Sequence, residues 1–480
     1  MSRFSFAAFT RKKIMPNFDP KVVGDGQLVR SISLFNLIMM GVGCTLGTGI
    51  FFALTETVPI ARPAIIISFI FAGITAGLTA LCYAEVSARI PVAGSAYTFA
   101  YMTMGEAAAV FVGSCLILEW GIAAAAVSVG WSSYLNELIR IVFGVEIPAA
   151  LKTAPFLANG KDLTLGGEGY INLPAVILVW VCALLLLRGS KESTTINTIL
   201  TLTKVTILVL FIFMTIQAFN IENFHPFMPN GIQGVGASAA IVFFSYIGLD
   251  AIVGASEEVK NPSRNIPLAV VIALFIVTSV YILVAVSSLG AQAAPDFAGQ
   301  EAGLAVILER VTGGSWSAAL MSVGAVISVF SVTLVAIFGQ TRVCFAMSRD
   351  GLLPKLFSRI HTDSGVPRAG TLTSALLITP LAGFLPSHLL WGMVSMGTLV
   401  AFSAVAVSLM ILRQKHPQPI KGFQLPFYPI TPILSILACG YLIISLTQTV
   451  YITFGIWVSI ATLLYLTQGI RHSKLAELKR

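Results

Sequence analysis

The chain has 480 residues, of which 56% are hydrophobic and only 10% charged, with a formal net charge of +8. Soluble globular proteins carry about 25% charged residues, so this composition excludes a soluble enzyme and equally a disordered chain. Nucleic-acid binding would need basic residues clustered on one soluble face, whereas here they are spread over short loops.

A helix that crosses the roughly 30 Å hydrocarbon core needs about 20 apolar residues. Uncharged runs at 31–55 and 63–84 supply the first two spans. The third, within 107–136, is interrupted only by Glu119, and 169–187 gives the fourth. Lys204 interrupts the fifth, within 193–221, and Asp250 the sixth, within 226–256. Runs at 265–295 and 311–341 follow, and 369–412 and 422–470 are each long enough for two spans. The sequence therefore predicts an all-α polytopic membrane protein with twelve transmembrane helices and both termini on one side. Its organisation reads as an N-terminal segment (1–30), two five-helix sets (31–220 and 226–412), two further helices (422–470) and a tail (471–480).

Of the 29 Lys and Arg residues, Arg62, Arg140, Lys152, Lys161 and Arg310 fall in odd-numbered loops, and Lys204 lies inside a span. The others lie in the N-terminus, the even-numbered loops and the C-terminus. Cytoplasmic loops carry the Lys/Arg excess, so both termini are expected in the cytoplasm of a cell-membrane protein. The first apolar run starts after a long mixed segment and continues to spanning length, unlike a cleavable signal peptide. The connection 137–170 reads as an outer cap, and 342–368, with Pro354, as an inner loop holding a short interfacial helix.

Six cysteines lie in or at the edge of apolar runs, where buried free thiols are the default. All five histidines fall in loops or at helix ends. No metal site, haem or other cofactor is expected, nor an intramembrane enzyme, which would need a base within the spans.

Two spans stand apart. The first contains Gly41, Gly43, Gly47 and Gly49 within nine residues, with Thr45 and Thr48; each glycine costs a helix up to about 1 kcal/mol relative to alanine. The sixth carries Phe243-Phe244-Ser245-Tyr246-Ile247-Gly248-Leu249-Asp250. Each opens one five-helix set, and paired interrupted helices at equivalent positions point to a transporter built from inverted repeats. Unwound backbone survives at membrane depth only where it is buried or lines a wet cavity. The glycine run has three readings. A phosphate-cradling loop would follow a strand and, in one common form, end in Gly-Lys-Ser/Thr, and neither holds. Helix packing through the GxxxG spacing of Gly43 and Gly47 explains one pair only; Gly73 and Gly77 share that spacing and read as packing. Exposed backbone N–H groups at a half-helix N-terminus suit a carboxylate.

The stretches GVGCTLGTGIF (41–51), YAEVSARIPVAGSAYTFAY (83–101) and FFSYIGLDAIVGASEEVKNPSRNIPLAV (243–270) resemble the amino acid–polyamine–organocation superfamily. The resemblance is greatest to its cationic amino acid transporter branch and that branch's bacterial relatives, in register over about 30–345 and looser beyond. It implies a five-plus-five inverted repeat with two trailing helices. It also implies that a substrate carboxylate meets N–H groups at Gly47, Thr48 and Gly49. The substrate ammonium would meet carbonyls near Thr45 and along Phe243, Phe244, Ser245 and Ile247. Phe244 reads either as an aromatic gate or as core packing.

A lysine at the middle of a span is costly and is a functional hypothesis by default. The resemblance implies that Lys204 fills the place of a sodium ion in related carriers, which disfavours sodium coupling. Burial disfavours a lysine's charged form, so Lys204 either cycles between charged and neutral states, coupling transport to a proton, or braces spans 1, 5 and 8 permanently charged. Glu119 could pair with a cationic substrate side chain, accept a proton, or bond to broken backbone. Asp250 reads as orienting the second half of span 6. Glu257, Glu258, Lys260 and Arg264 are either a cytoplasmic gate or solubilising charges, and Glu85 with Arg89 reads as an i,i+4 pair.

The expected function is sodium-independent, proton-coupled transport of cationic or broad-range L-amino acids by alternating access. The expected partners are the amino-acid substrate, protons and the lipid bilayer. An exchanger of the same fold is the nearest alternative, and a non-transporting sensor the distant one.

Overall fold

The computed structural model describes residues 10–13, 32–47, 49–90, 96–159, 162–188, 194–254, 259–359, 366–415 and 423–477. Thr48, Glu257 and Glu258 lie outside them, and of Asp250 only the backbone is described. The described chain is nearly all helix. Seven helical stretches are long and apolar enough to cross a membrane by length and composition, and four more apolar helices are shorter.

The first span is divided, with α1 (Leu34–Leu46) ending at Gly47 and α2 (Ile50–Ala61) starting after Gly49. Arg62, at φ 57°, turns the chain into α3 (Ile65–Arg89). A short helix, α4 (Ala96–Thr103), precedes α5 (Glu106–Phe143), which runs well past the apolar run that predicted it. The expected outer cap beyond it holds a helical turn and an antiparallel hairpin, β1 (Phe156–Asn159) with β2 (Asp162–Leu165). Then come α6 (Leu173–Leu187) and α7 (Thr194–Thr215). The second divided span is α8 (Gly231–Val242), one 3-10 turn over Phe243–Tyr246, and α9 (Leu249–Gly254). It is followed by α10 (Pro262–Ala291), α11 (Gly303–Thr312) and α12 (Ser315–Arg349). Beyond α12 the inner loop contains a 3-10 turn, Lys355–Ser358, where a short helix was expected. The bundle closes with α13 (Arg368–Phe384), α14 (Ser387–Lys415), α15 (Ile430–Ile444) and α16 (Gln448–Leu464).

Small residues let these helices approach closely. A Cβ added at Gly77 would meet Leu274 of α10, and one at Gly73 would meet Thr278 and the Tyr246 hydroxyl, which fits the packing reading of that pair. Gly339 of α12 lies under the Trp120 ring of α5.

Charge is neutralised at one end of the bundle. Glu85, fully buried, accepts hydrogen bonds from Arg89 Nε at 2.8 Å, Arg413 Nε at 2.8 Å and the Leu425 N–H at 2.7 Å. The pair read from sequence is therefore one side of a larger knot that ties α3, α14 and the segment before α15. The two ends of the described chain also meet here, for Lys13 Nζ lies 2.9 Å from Asp350, whose backbone carbonyl accepts from the Lys474 N–H.

Candidate functional site

The two helix breaks touch. Gly49 lies so close to Ser245 that an added Cβ would stand 2.7 Å from the Ser245 Cα. Gly248, at φ 110°, faces α1, where an added Cβ would stand 2.8 Å from Cys44 Cβ and 3.0 Å from its carbonyl carbon. The left-handed φ at Gly248 favours glycine, and both close approaches leave no room for a side chain.

A helix that stops leaves its last carbonyls and the next helix's first N–H groups without intrahelical partners, and buried backbone must find others. At the end of α1, Lys204 Nζ donates to the Gly43 carbonyl at 3.0 Å and lies 3.1 Å from Ser331 Oγ. The Tyr281 hydroxyl sits 2.7 Å from the Thr45 carbonyl and 2.7 Å from the Ser245 carbonyl, one on each broken span. Thr45 Oγ1 turns back onto Gly41 O at 2.7 Å, so this side chain is spent inside α1. At the start of α2 the Phe52 and Ala53 N–H groups donate to the Gly49 carbonyl, at 2.9 and 2.7 Å.

Lys204 is 4% exposed and reaches α1 because α7 runs parallel to it, with Thr201 Oγ1 3.2 Å from Met39 O one turn earlier. Gly43 and Gly47 make this possible. An added Cβ would meet Thr201 Oγ1 at the first and both Val332 and Lys204 Nζ at the second.

Beside the breaks lies a narrow, partly open cleft. Its walls come from α1 (Gly43, Cys44), α5 (Trp120, Ala123), α7 (Asn197, Lys204), the second break (Ile247, Gly248) and α12 (Ser331, Val332, Val335, Ala336). Asn197 belongs to the first turns of α7, so the cavity extends from the breaks toward the end of the bundle where α1 and α7 begin.

On the other side of the breaks is a stack of aromatic rings. Phe244 lies flat on Trp391 of α14 with centroids 4.1 Å apart, and Phe52 of α2 lies nearly parallel to the same ring at 5.8 Å. Trp391 is 1% exposed, and Phe243 packs edge-on against Phe402.

Of the residues singled out in the sequence, Thr45, Gly47, Gly49, Lys204, Phe243, Phe244, Ser245 and Ile247 thus gather at one place. Glu119, 1% exposed, packs against α14 at its Cβ, 3.6 Å from the point a Gly397 Cβ would occupy, and does not line the cavity. Tyr281, Asn197, Ser331 and Trp391 were missed. Each is an uncharged residue within an apolar run, with no local signal to mark it.

Long apolar helices, two interlocked breaks and a buried lysine bonded across one of them beside a cleft fit a multi-pass membrane protein of the permease class. The chain belongs to the amino acid permease family, whose profile matches residues 32–466. Among its relatives, the methylthioribose transporter of Bacillus subtilis (strain 168) is 41% identical over 93% of this chain and 95% of its own. The branched-chain amino acid permease BcaP of the same strain is 37% identical over 97% of this chain and 98% of its own. Cationic amino acid transporter 2, vacuolar, of Arabidopsis thaliana is 37% identical over 82% of this chain and 62% of its own. The family resemblance read from the three motifs is borne out.

Proposed function

We propose that the chain is a sodium-independent, proton-coupled carrier of L-amino acids that works by alternating access. It would sit in the cell membrane as twelve spans, with 31–220 and 226–412 as inverted repeats, 422–470 trailing and both termini cytoplasmic. The meeting of Lys13 and Lys474 at Asp350 supports termini on one side.

The observation that carries the reading is the contact of Lys204 Nζ with Gly43 O and Ser331 Oγ. An ammonium there is held by two oxygens of the kind that would also suit a cation, and its loss of a proton would loosen α1 from α7 and α12. In this scheme the substrate carboxylate takes the N–H groups at Gly47, Thr48 and Gly49. Its ammonium takes carbonyls among Thr45, Phe243, Phe244, Ser245 and Ile247. Phe244, stacked on Trp391, serves as the gate, and Asp250 orients α9. Glu119 remains a candidate for proton or substrate-charge chemistry within the same bundle.

The test is uptake of radiolabelled amino acids into proteoliposomes, with and without an inward proton gradient, in sodium-free buffer. Gradient-stimulated uptake is expected. Movement only into amino-acid-preloaded vesicles would instead make the protein an exchanger. Because one relative is named a methylthioribose transporter, that thiosugar belongs in the panel; its uptake in place of every amino acid overturns the amino-acid reading.

A further inference from the structure

We propose that the side-chain subsite of this carrier accepts uncharged, apolar amino-acid side chains and rejects those of arginine and lysine. This inference rests on the transport reading above and narrows its substrate class.

The cavity walls divide into two parts. Asn197, Lys204, Ser331 and the Gly43–Cys44 backbone form a polar strip beside the broken end of α1. Everything opposite is apolar: Trp120 and Ala123, one turn apart on α5, face Val332, Val335 and Ala336, which share one stripe of α12, with Ile247 closing the gap between them. The two parts join at Gly47, where an added Cβ would touch both Val332 Cγ2 and Lys204 Nζ. A substrate whose carboxylate rests at the glycine break therefore projects its side chain along the Val332–Val335–Ala336 stripe toward the Trp120 ring.

No carboxylate stands in this wall among the described residues, and its one basic side chain is Lys204. An ion taken from water into such a site must find a counter-charge, because the desolvation penalty is otherwise unreturned. A guanidinium or ammonium at the far end of a substrate would meet an indole, methyl groups and a neighbouring site that already hosts a basic amine. The acidic residue Glu119, next to Trp120 on α5, is not among the residues that line the cavity, and its Cβ packs against Gly397 of α14. A leucine, valine or methionine side chain meets only matched surface and gains its burial free energy.

The experiment is a competition panel on the full-length protein in proteoliposomes, with leucine as the labelled substrate. Isoleucine, valine, methionine and phenylalanine are expected to compete at concentrations within about tenfold of leucine, and arginine and lysine at least about tenfold less well, the ratio that 1.4 kcal/mol produces. Arginine or lysine competing as well as leucine overturns the inference while leaving amino-acid transport intact. If neither leucine nor any other labelled amino acid enters, it is the transport reading that fails. The wall is tested separately by Ala123→Leu, which fills the space opposite Val335. The ratio of leucine to alanine uptake is expected to fall at least about fivefold, within the range that one or two methylenes command in an apolar pocket. An unchanged ratio places the substrate side chain elsewhere and overturns the assignment.

Discussion

The hydroxyl of Tyr281 and the carbonyl oxygen of Thr45 are 2.7 Å apart, and the same hydroxyl is 2.7 Å from the Ser245 carbonyl. One phenolic hydrogen is thus shared between the two broken spans, from a residue of α10 that belongs to neither. Tyr281→Phe keeps the ring, including its edge-on contact with Tyr246, and deletes only the donor. Such a bond is worth about 1 kcal/mol net, so the variant should fold with near-normal yield yet take up substrate about fivefold more slowly. Wild-type rates would mean that the two breaks need no tie.

Gly248→Ala should fare far worse. Its φ of 110° is poorly open to alanine, and the new Cβ would press on the α1 backbone at Cys44. Backbone strain of this kind costs on the order of 1–3 kcal/mol before the clash is added. Gly440→Ala is the control, since nothing lies within 4 Å of its added Cβ and alanine is the better helix former. Loss of transport and folded yield is expected for the first only; thermal unfolding in detergent measures both.

On the proton-coupled reading proposed above, Lys204→Met should retain folding but flatten the pH dependence of uptake, because it removes the group that would gain and lose the proton. An unaltered pH profile would leave Lys204 as a fixed brace between α1, α7 and α12.

Glu119→Gln discriminates between the roles open to that residue. With its Cβ packed against Gly397 of α14, the competition of arginine and of alanine against leucine uptake should change in parallel, within about twofold, well short of the effect of an unpaired charge. A loss confined to arginine would assign Glu119 to a substrate side chain.

Glu85→Gln should be costly although it lies far from the substrate. It strips the charge partner from Arg413 and Arg89 at a fully buried position, and breaking a buried pair costs about 3–5 kcal/mol. The readout is a lowered unfolding temperature; an unchanged one would mean that the arginines find water.

The spans were legible in the sequence because charge is so scarce that apolar blocks outline themselves, and Lys204 and the glycine run were legible because each violates the rule for a membrane helix. Both breaks fall where the glycines placed them. Tyr281 and Trp391 were not legible. A tyrosine or tryptophan in an apolar run has no local meaning, and theirs comes from other elements, with Thr45 236 residues from Tyr281 in the chain. Glu85 was half legible, since Arg89 is four residues away on the same helix whereas Arg413 arrives only through tertiary packing. The count of long apolar helices falls short of twelve for a physical reason. Dividing a span at Gly47–Gly49 leaves α1 too short by itself, and α6, α13 and α15, at 15, 17 and 15 residues, and α8, at 12, are likewise short.

The aromatic stack of Phe52, Trp391 and Phe244 has an electrical consequence. Three packed rings close one side of the breaks, and the cavity lies on the other. A transmembrane voltage drops where dielectric constant is lowest, so in a membrane those rings would carry more of it than a solvent-filled approach to Lys204 would. A proton reaching Lys204 in this conformation would therefore traverse little of the field, and the voltage sensitivity of the whole cycle would reside in the step that parts the rings.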